Sequence, residues 1–131
     1  MAVTDVMAIS EFGLQYQKMR VDAATFNIAQ ANTVQTGKTP FMLQTVVNNM
    51  SFSGEVFEKD NLQVQQHLVS EKKQYRPEHP AADTHGFVRV ANVDMASQMV
   101  TLTEATRAYE ANVKAFNNHM SMTMKALEIG K

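Results

Sequence analysis

Heptad spacing of apolar residues near both ends constrains the fold of this chain more than any other feature. In the last third, a/d positions recur in alternating steps of four and three, as in a coiled-coil seam. These positions are Met95, Met99, Leu102, Thr106, Tyr109, Val113, Phe116, Met120, Thr123 and Leu127. The spacing predicts one long helix, and a seam of this kind needs a partner helix.

The first third has the same spacing and can supply that partner. Its a/d positions are Val3, Met7, Ser10, Leu14, Gln17, Val21, Ala24, Ile28 and Ala31. A second apolar series follows roughly the opposite side of the same helix, and consists of Ile9, Phe12, Tyr16, Met19, Ala23 and Phe26. One helix partner covers one face, so the second face predicts a neighbouring subunit or a membrane, unless the chain's own middle region covers it.

The ends of both helices are marked by capping residues. Thr4 is a candidate N-cap, and we expect the first helix to run to about Gln35, with Gly37 in the left-handed conformation that often follows a helix. The second helix is predicted to begin near Asp94, whose side chain can cap it, and to end at Gly130. Helices of these lengths span about 45 and 55 Å, whereas a compact domain of this size has a radius of gyration of about 14 Å. The molecule is therefore expected to be elongated.

The middle of the chain changes to short β-favouring runs separated by turn residues. We predict strands at Phe41–Val47, Val56–Phe57, Lys73–Tyr75 and Phe87–Val90, and leave Leu62–Val69 open between a strand and a helical turn. The predicted fold is mainly α: long N- and C-terminal helices packed as an antiparallel coiled-coil-like pair, with a small irregular β region between them. The expected division is an N-terminal helix in 1–36, the β region in 37–92 and a C-terminal helix in 93–131, together one elongated assembly domain.

Composition excludes several classes of protein. A net charge of −1 gives no basic surface for nucleic acid, and the absence of cysteine excludes disulfides and thiol chemistry. No apolar stretch is long enough for a transmembrane segment. The first basic residue is Lys18, so we expect no cleaved secretory leader.

No arrangement typical of an enzyme is visible, and we expect no catalytic activity and no cofactor. The residues His79, Asp83 and His85 have the chemistry of zinc or iron ligands. They lie, however, in a segment interrupted by Pro77, Pro80 and Gly86, and we interpret it as a turn region without a metal.

Four segments resemble the flagellar basal-body rod proteins. Asn27–Thr33 is similar to the N-I-A-N-A-N-T signature of flagellar axial proteins, with Gln30 in place of the usual asparagine. Tyr75–Val88 resembles the Y-x-P-x-H-P-x-A-D-x-x-G-Y/F-V segment of a rod protein, and Ala105–Val113 and Lys125–Lys131 resemble its C-terminal part. The resemblance touches both ends and the middle of the chain.

This resemblance implies a structural subunit of the proximal rod, which transmits motor torque through the periplasm and is exported by the flagellar type III apparatus without a cleaved signal. It implies as partners other rod subunits, export-gate and membrane-ring proteins of the basal body, and copies of the chain itself. The alternatives are a soluble helical binding module such as a secretion chaperone, and a metal-dependent hydrolase built on the His79 region.

Two asparagines in the first helix need an explanation, because asparagine is a poor helix former. Either Asn32 simply frays the helix end, or Asn27 and Asn32 make hydrogen bonds between subunits that fix their register. We predict the second. The predicted assembly interface consists of Phe12, Tyr16, Met19, Phe26, Asn27, Ile28, Asn32, Tyr109, Asn112, Val113 and Phe116.

Overall fold

Two long helices enclose a small antiparallel β region, as the sequence predicts. The computed structural model describes residues 3–49 and 61–130. Its elements, in chain order, are α1 (Val3–Asn32), β1 (Phe41–Asn48), β2 (Leu62–Val69), β3 (Glu71–Tyr75), β4 (Phe87–Ala91) and α2 (Met95–Ile129). Neither helix, within these residues, is both long and apolar enough to cross a membrane.

The two helices pack side by side and run antiparallel. Early residues of α1 meet late residues of α2: a Cβ added to Gly13 would lie 3.1 Å from Nδ2 of Asn112. Near the other end of the pair, Asn27 of α1 donates to Oε1 of Gln98 at 3.0 Å. With 35 residues, α2 alone is about 50 Å long, so the predicted elongated shape is confirmed.

The line of α2 that faces α1 differs from the predicted seam. Five of the ten predicted seam residues are exposed, among them Met99 by 52%, Tyr109 by 38% and Met120 by 37%. Ala105 is instead fully buried, and it shares a seven-residue spacing with the two contact residues Gln98 and Asn112. Small or polar side chains on this line let the helices approach closely and gain dispersion contacts. On this line the predicted seam is displaced by one residue. Other predicted seam positions remain half-buried, among them Met95, Leu102, Phe116 and Thr123.

The first helix is shorter at its C-terminal end than predicted. It ends at Asn32 rather than near Gln35. The chain then becomes extended, and Val34 forms an antiparallel bridge with Val90 of β4. The helix begins at Val3, so the predicted cap Thr4 lies inside it. Pairing with the β region, a tertiary contact, is what ends the helix early.

The other marked positions behave largely as predicted. Gly37 has the positive φ expected, 92°, but it lies in the linker and not directly after the helix. At the start of α2, the side chain of Asp94 accepts from the backbone N–H of Ala96 at 3.2 Å. At its end, the N–H of Gly130 donates to the carbonyl of Ala126 at 3.1 Å. Both predicted limits of α2 are thus confirmed.

The described part of the β region, 41–49 and 61–91, contains two separate antiparallel pairs. In the first, β1 pairs with β2 in a register that sets Phe41 opposite Val69. In the second, β3 pairs with β4, with Glu71 opposite Ala91. The run left open by the sequence, now β2, is therefore a strand. The predicted strand Val56–Phe57 lies outside the described residues.

The core is concentrated where the C-terminal third of α1 meets the β region and α2. Its buried apolar residues are Ala23, Ala24, Phe41, Leu43, Leu62, Val88, Val90, Ala91 and Ala105. From Asp5 to Asp22, no residue of α1 is fully buried. The β region thus covers only one end of the helix pair, and much of the second apolar face of α1 is left half-exposed.

Candidate assembly surface

Asn27 joins the three main parts of the subunit. Its side-chain Nδ2 donates to the backbone carbonyl of Gln44 in β1 at 2.9 Å and to Oε1 of Gln98 in α2 at 3.0 Å. Its Oδ1 accepts from the N–H of Gln44 at 2.8 Å. The residue is only 3% exposed. Because an amide can donate and accept at once, one side chain holds both helices and the first strand together.

This position explains why a poor helix former occurs in α1. The amide of Asn27 is bonded within the subunit, at both its oxygen and its nitrogen. We therefore remove Asn27 from the set of residues that we propose to contact other subunits. Asn32, the other asparagine of the motif, is exposed at the helix end.

The other predicted interface residues lie mostly on the sides of the helix pair. Those that are half-buried are Phe12, Tyr16, Met19, Phe26, Ile28, Asn112, Val113 and Phe116. Asn112 packs against Gly13 inside the pair. Tyr109 is exposed and lines, with Lys18, Val21 and Thr106, a hollow of about 160 Å³ between the helices. The predicted residues therefore do not form one continuous patch. Asn27 is buried within the subunit, and most of the others lie on a partly exposed side of the helix pair.

Exposed apolar side chains accumulate on α2. They are Met99, Val100, Tyr109, Met120, Met122, Met124, Leu127 and Ile129. The Gly13–Asn112 and Asn27–Gln98 contacts fix the register of the helices, and this register sets the start of α1 level with Met122. The last turns of α2 extend beyond that level, and Ile129 is 87% exposed. A surface of this kind is typical of an interface with another protein.

A second candidate surface is the loop between β3 and β4, which is held by hydrogen bonds to Asp83. Its Oδ1 accepts from the backbone N–H of His85 at 2.8 Å and of Phe87 at 2.9 Å. The N–H of Phe87, then that of His85, holds the pKa of the Asp83 carboxyl below its ordinary value of 3.8, although desolvation opposes the shift. The loop is thus fixed in shape by its own polar groups.

The residues that the sequence suggested as metal ligands serve this loop instead. Nδ1 of His79 accepts from the N–H of Ala81 at 3.1 Å, and the carboxylate of Asp83 is bonded to backbone N–H groups. Across 3–49 and 61–130, no three histidine or acidic side chains are grouped as a metal would require. The hydrogen bonds of His79 and Asp83 within the loop support its interpretation as a turn region.

The hydrogen bonds between the Asp83 carboxylate and the backbone of its loop give a pH-dependent prediction. Since the folded pKa is lowered, the contribution of the charged form to stability is complete above 3.8 and is lost as the pH falls through the folded pKa. We expect Asp83→Asn to lower the thermal unfolding midpoint at pH 7. The difference from wild type should shrink as the pH is lowered below 3.8, measured by circular dichroism. A gap that stays constant with pH would contradict this role.

Arg89 of β4 is a structural residue that the sequence did not single out. Its guanidinium pairs with the carboxylate of Glu71 in β3 and donates to the carbonyl of Gly37 in the linker. It also lies 5.7 Å from the ring centroid of Phe41. Arg89 therefore fixes the path of the chain between α1 and β1. A single arginine in a short strand gives no sequence signal of this kind.

Comparison with known proteins decides the family. The family model described as "Flagellar basal body rod FlgEFG protein C-terminal" matches residues 84–129. The flagellar basal-body rod protein FlgC of Escherichia coli O6:H1 is 33% identical over the full length of both chains. The chain belongs to the FlgC family of flagellar basal-body rod proteins. FlgC of Aquifex aeolicus is 31% identical over 89% of each chain, and FlgC of Bacillus subtilis is 31% identical over 94% of this chain and 95% of its own.

Membership of the FlgC family confirms the resemblance predicted from four segments. It makes this chain a structural protein of the flagellar rod. The matched family segment begins in the Asp83 loop and continues through β4 and the whole of α2. It therefore contains all the exposed apolar side chains of α2 named above.

Proposed function

We propose that this chain is a subunit of the proximal rod and assembles helically with other rod proteins to transmit motor torque. The observation that supports this most is the row of exposed apolar residues on α2, in a chain related over its full length to FlgC proteins. Apolar side chains that are exposed to water in the single subunit contribute about 25 cal/mol of favourable free energy per Å² when a neighbour buries them.

The assembly contact that we propose uses the exposed residues of the predicted α2 seam. Met99, Tyr109 and Met120 keep the heptad spacing on a flank that α1 covers only in part. A helix of a neighbouring subunit can pack on this flank in coiled-coil fashion, with Phe12, Tyr16 and other half-buried residues at its margin. The whole chain, with its helices in 1–36 and 93–131 and its β region in 37–92, then acts as one elongated assembly domain.

The proposed partners are copies of this chain, other rod subunits, and the export-gate and membrane-ring proteins at the base of the rod. The proposed location is the periplasmic rod, reached by flagellar type III export without a cleaved signal. No step of this role involves bond chemistry. The proposed activity is mechanical: many apolar contacts per subunit resist shear while torque passes along the array.

A charge on the exposed seam tests this function. Met120→Glu places a carboxylate on the proposed interface, where burial without a partner is costly. We expect the variant to keep the helicity of the wild type, to be exported, and to be incorporated into purified basal bodies at less than about a tenth of the wild-type level. A deletion strain that expresses only this variant should be non-motile.

The matched control is Asn118→Glu, which adds the same charge to an exposed position on another side of α2. It should be incorporated and support motility like the wild type. Equal incorporation of both variants would refute the proposed interface. A wild-type chain that stays in the cytoplasm bound to an export substrate would refute the rod function in favour of a secretion chaperone.

A further inference from the structure

The outer edge of β1 is closed by Asn27. The N–H and C=O of Gln44 both bond with the Asn27 side chain, at 2.8 and 2.9 Å. Opposite residues in an antiparallel pair alternate between exchanging two hydrogen bonds and exchanging none. Gln44 therefore exchanges none with the residue opposite it, Gln66. The N–H and C=O of Gln66, and by the same alternation those of Val64 and Leu68, point away from β1.

The outer edge of β4 is also closed within the subunit. The N–H of Gln35 donates to the carbonyl of Arg89 at 3.3 Å, and the N–H of Asp83 donates to the carbonyl of Phe87 at 2.9 Å. The outer edges of β2 and β3 differ. In the described ranges 3–49 and 61–130, no strand or bridge pairs with either of them.

These two open edges are different in character. The strand β2 has eight residues without a single charge, and six successive ones, 63–68, are exposed. A long uncharged edge is a ready template for another strand, and a lone two-stranded hairpin is marginal in water. The strand β3 has five residues and includes Glu71, Lys72 and Lys73. Its exposed backbone groups belong to Glu71, Lys73 and Tyr75, because Arg76 bonds inward to Gly86 at 2.9 Å.

We propose that the outer edge of β2 pairs with the outer edge of β3 of a second copy of this chain. This pairing rests on the proposed rod function and names one of its contacts. The pairing leaves neither edge open. Each copy pairs its β2 edge with one neighbouring copy and its β3 edge with another. Such a contact between unlike surfaces can repeat without closing, as a rod requires.

Other pairings of the same edges are less favourable. Pairing of β2 with β2 is two-fold symmetric, so it closes as a dimer and leaves β3 open. Pairing of β3 with β3 sets lysines against one another, which is destabilising. In the β2–β3 pair, the lysines of β3 face uncharged side chains, including Gln63, Gln65 and Gln66, which can accept hydrogen bonds from them.

Removal of one outward N–H tests the pairing. Gln66→Pro deletes a donor that no residue of β1 uses, and proline is tolerated at a strand edge in this orientation. We expect this variant to keep the circular dichroism spectrum of the wild type and to enter purified rods at least tenfold less. Gln66→Ala, which keeps the N–H, should enter rods normally. Gln65→Pro should unfold the hairpin, because the N–H of Gln65 faces Thr45 of β1.

Disulfide cross-linking of the purified chain decides the pairing independently of rods and of the proline variant. The chain has no cysteine of its own, so every disulfide must form between introduced cysteines. We expect Gln66→Cys, mixed and oxidised at high concentration with copies carrying a cysteine at Lys72, Lys73 or Gln74, to give a mixed dimer at one of these positions.

Two results would overturn the β2–β3 pairing. One is a cross-linked product dominated by two copies of Gln66→Cys, which indicates β2–β2 contact. The other is the absence of any mixed dimer together with normal incorporation of Gln66→Pro. A wild-type chain absent from rods would instead refute the proposed function, and the cross-link would still decide whether the two edges meet.

Discussion

Asn27→Leu is expected to lower the free energy of unfolding by about 3 kcal/mol. Leucine matches asparagine roughly in size but removes all three hydrogen bonds that this amide makes with Gln44 and Gln98. The backbone N–H and C=O of Gln44, a half-buried residue, would then face an apolar side chain without partners, which is the costly part of the change. Urea unfolding followed by circular dichroism measures the loss.

Asn32→Leu is the matched control, since Asn32 belongs to the same sequence motif but is exposed. This substitution should change the free energy of unfolding by less than about 0.5 kcal/mol. If both variants lower the free energy of unfolding by the same amount, the effect comes from helix propensity. The hydrogen bonds of Asn27 then do not hold the two helices and β1 together. If neither does, the hydrogen bonds of Asn27 contribute little.

Gly86→Ala is expected to lower the free energy of unfolding by about 3 kcal/mol. Gly86 has a φ of 81°, which costs an L-amino acid roughly 1–2 kcal/mol. An added Cβ would also lie 2.9 Å from Cε2 of Tyr75 and 3.2 Å from Cβ of Pro77. The ring of Tyr75 packs edge-on against Phe87 at 5.4 Å between centroids, so it cannot move without loss of that contact. Thermal unfolding should show a midpoint lower by roughly 10 °C.

Gly37→Ala separates the two causes. Gly37 has a similar φ, 92°, but no atom lies within 4 Å of an added Cβ. This variant should lose only the conformational term, about 1 kcal/mol. If Gly86→Ala and Gly37→Ala lower the free energy of unfolding equally, the side chains of Tyr75 and Pro77 make room for the added Cβ of residue 86 at no cost.

The sequence predicted the architecture because its local signals were strong. Asp94 and Gly130 mark the limits of α2, and Pro77, Pro80 and Gly86 mark the loop between β3 and β4. Part of the predicted α2 seam was misplaced for a physical reason. In an assembling protein, large apolar residues such as Met99 and Met120 stay outside the subunit, whereas Gly13 and Ala105 allow close packing and add little to a hydrophobic pattern.

The candidate site was only partly predictable. The presence of asparagine in a helix singled out Asn27, but its partner is the backbone of β1, seventeen residues further along the chain, and no local pattern indicates it. The role of Arg89 depends on a linker carbonyl and a carboxylate that meet only in the folded chain. Polar contacts between distant segments depend on tertiary structure, and one sequence does not reveal them.

Pairing between the first and last helices has a consequence for the order of folding. Because α1 finds its partner more than sixty residues later, at Met95–Ile129, the pair cannot form until that segment has been made. Contacts so distant in sequence carry a large loop-closure cost and slow the folding reaction. While the chain is still emerging, or still threaded through a narrow passage, α1 therefore stays without its partner helix until α2 is free to pack on it.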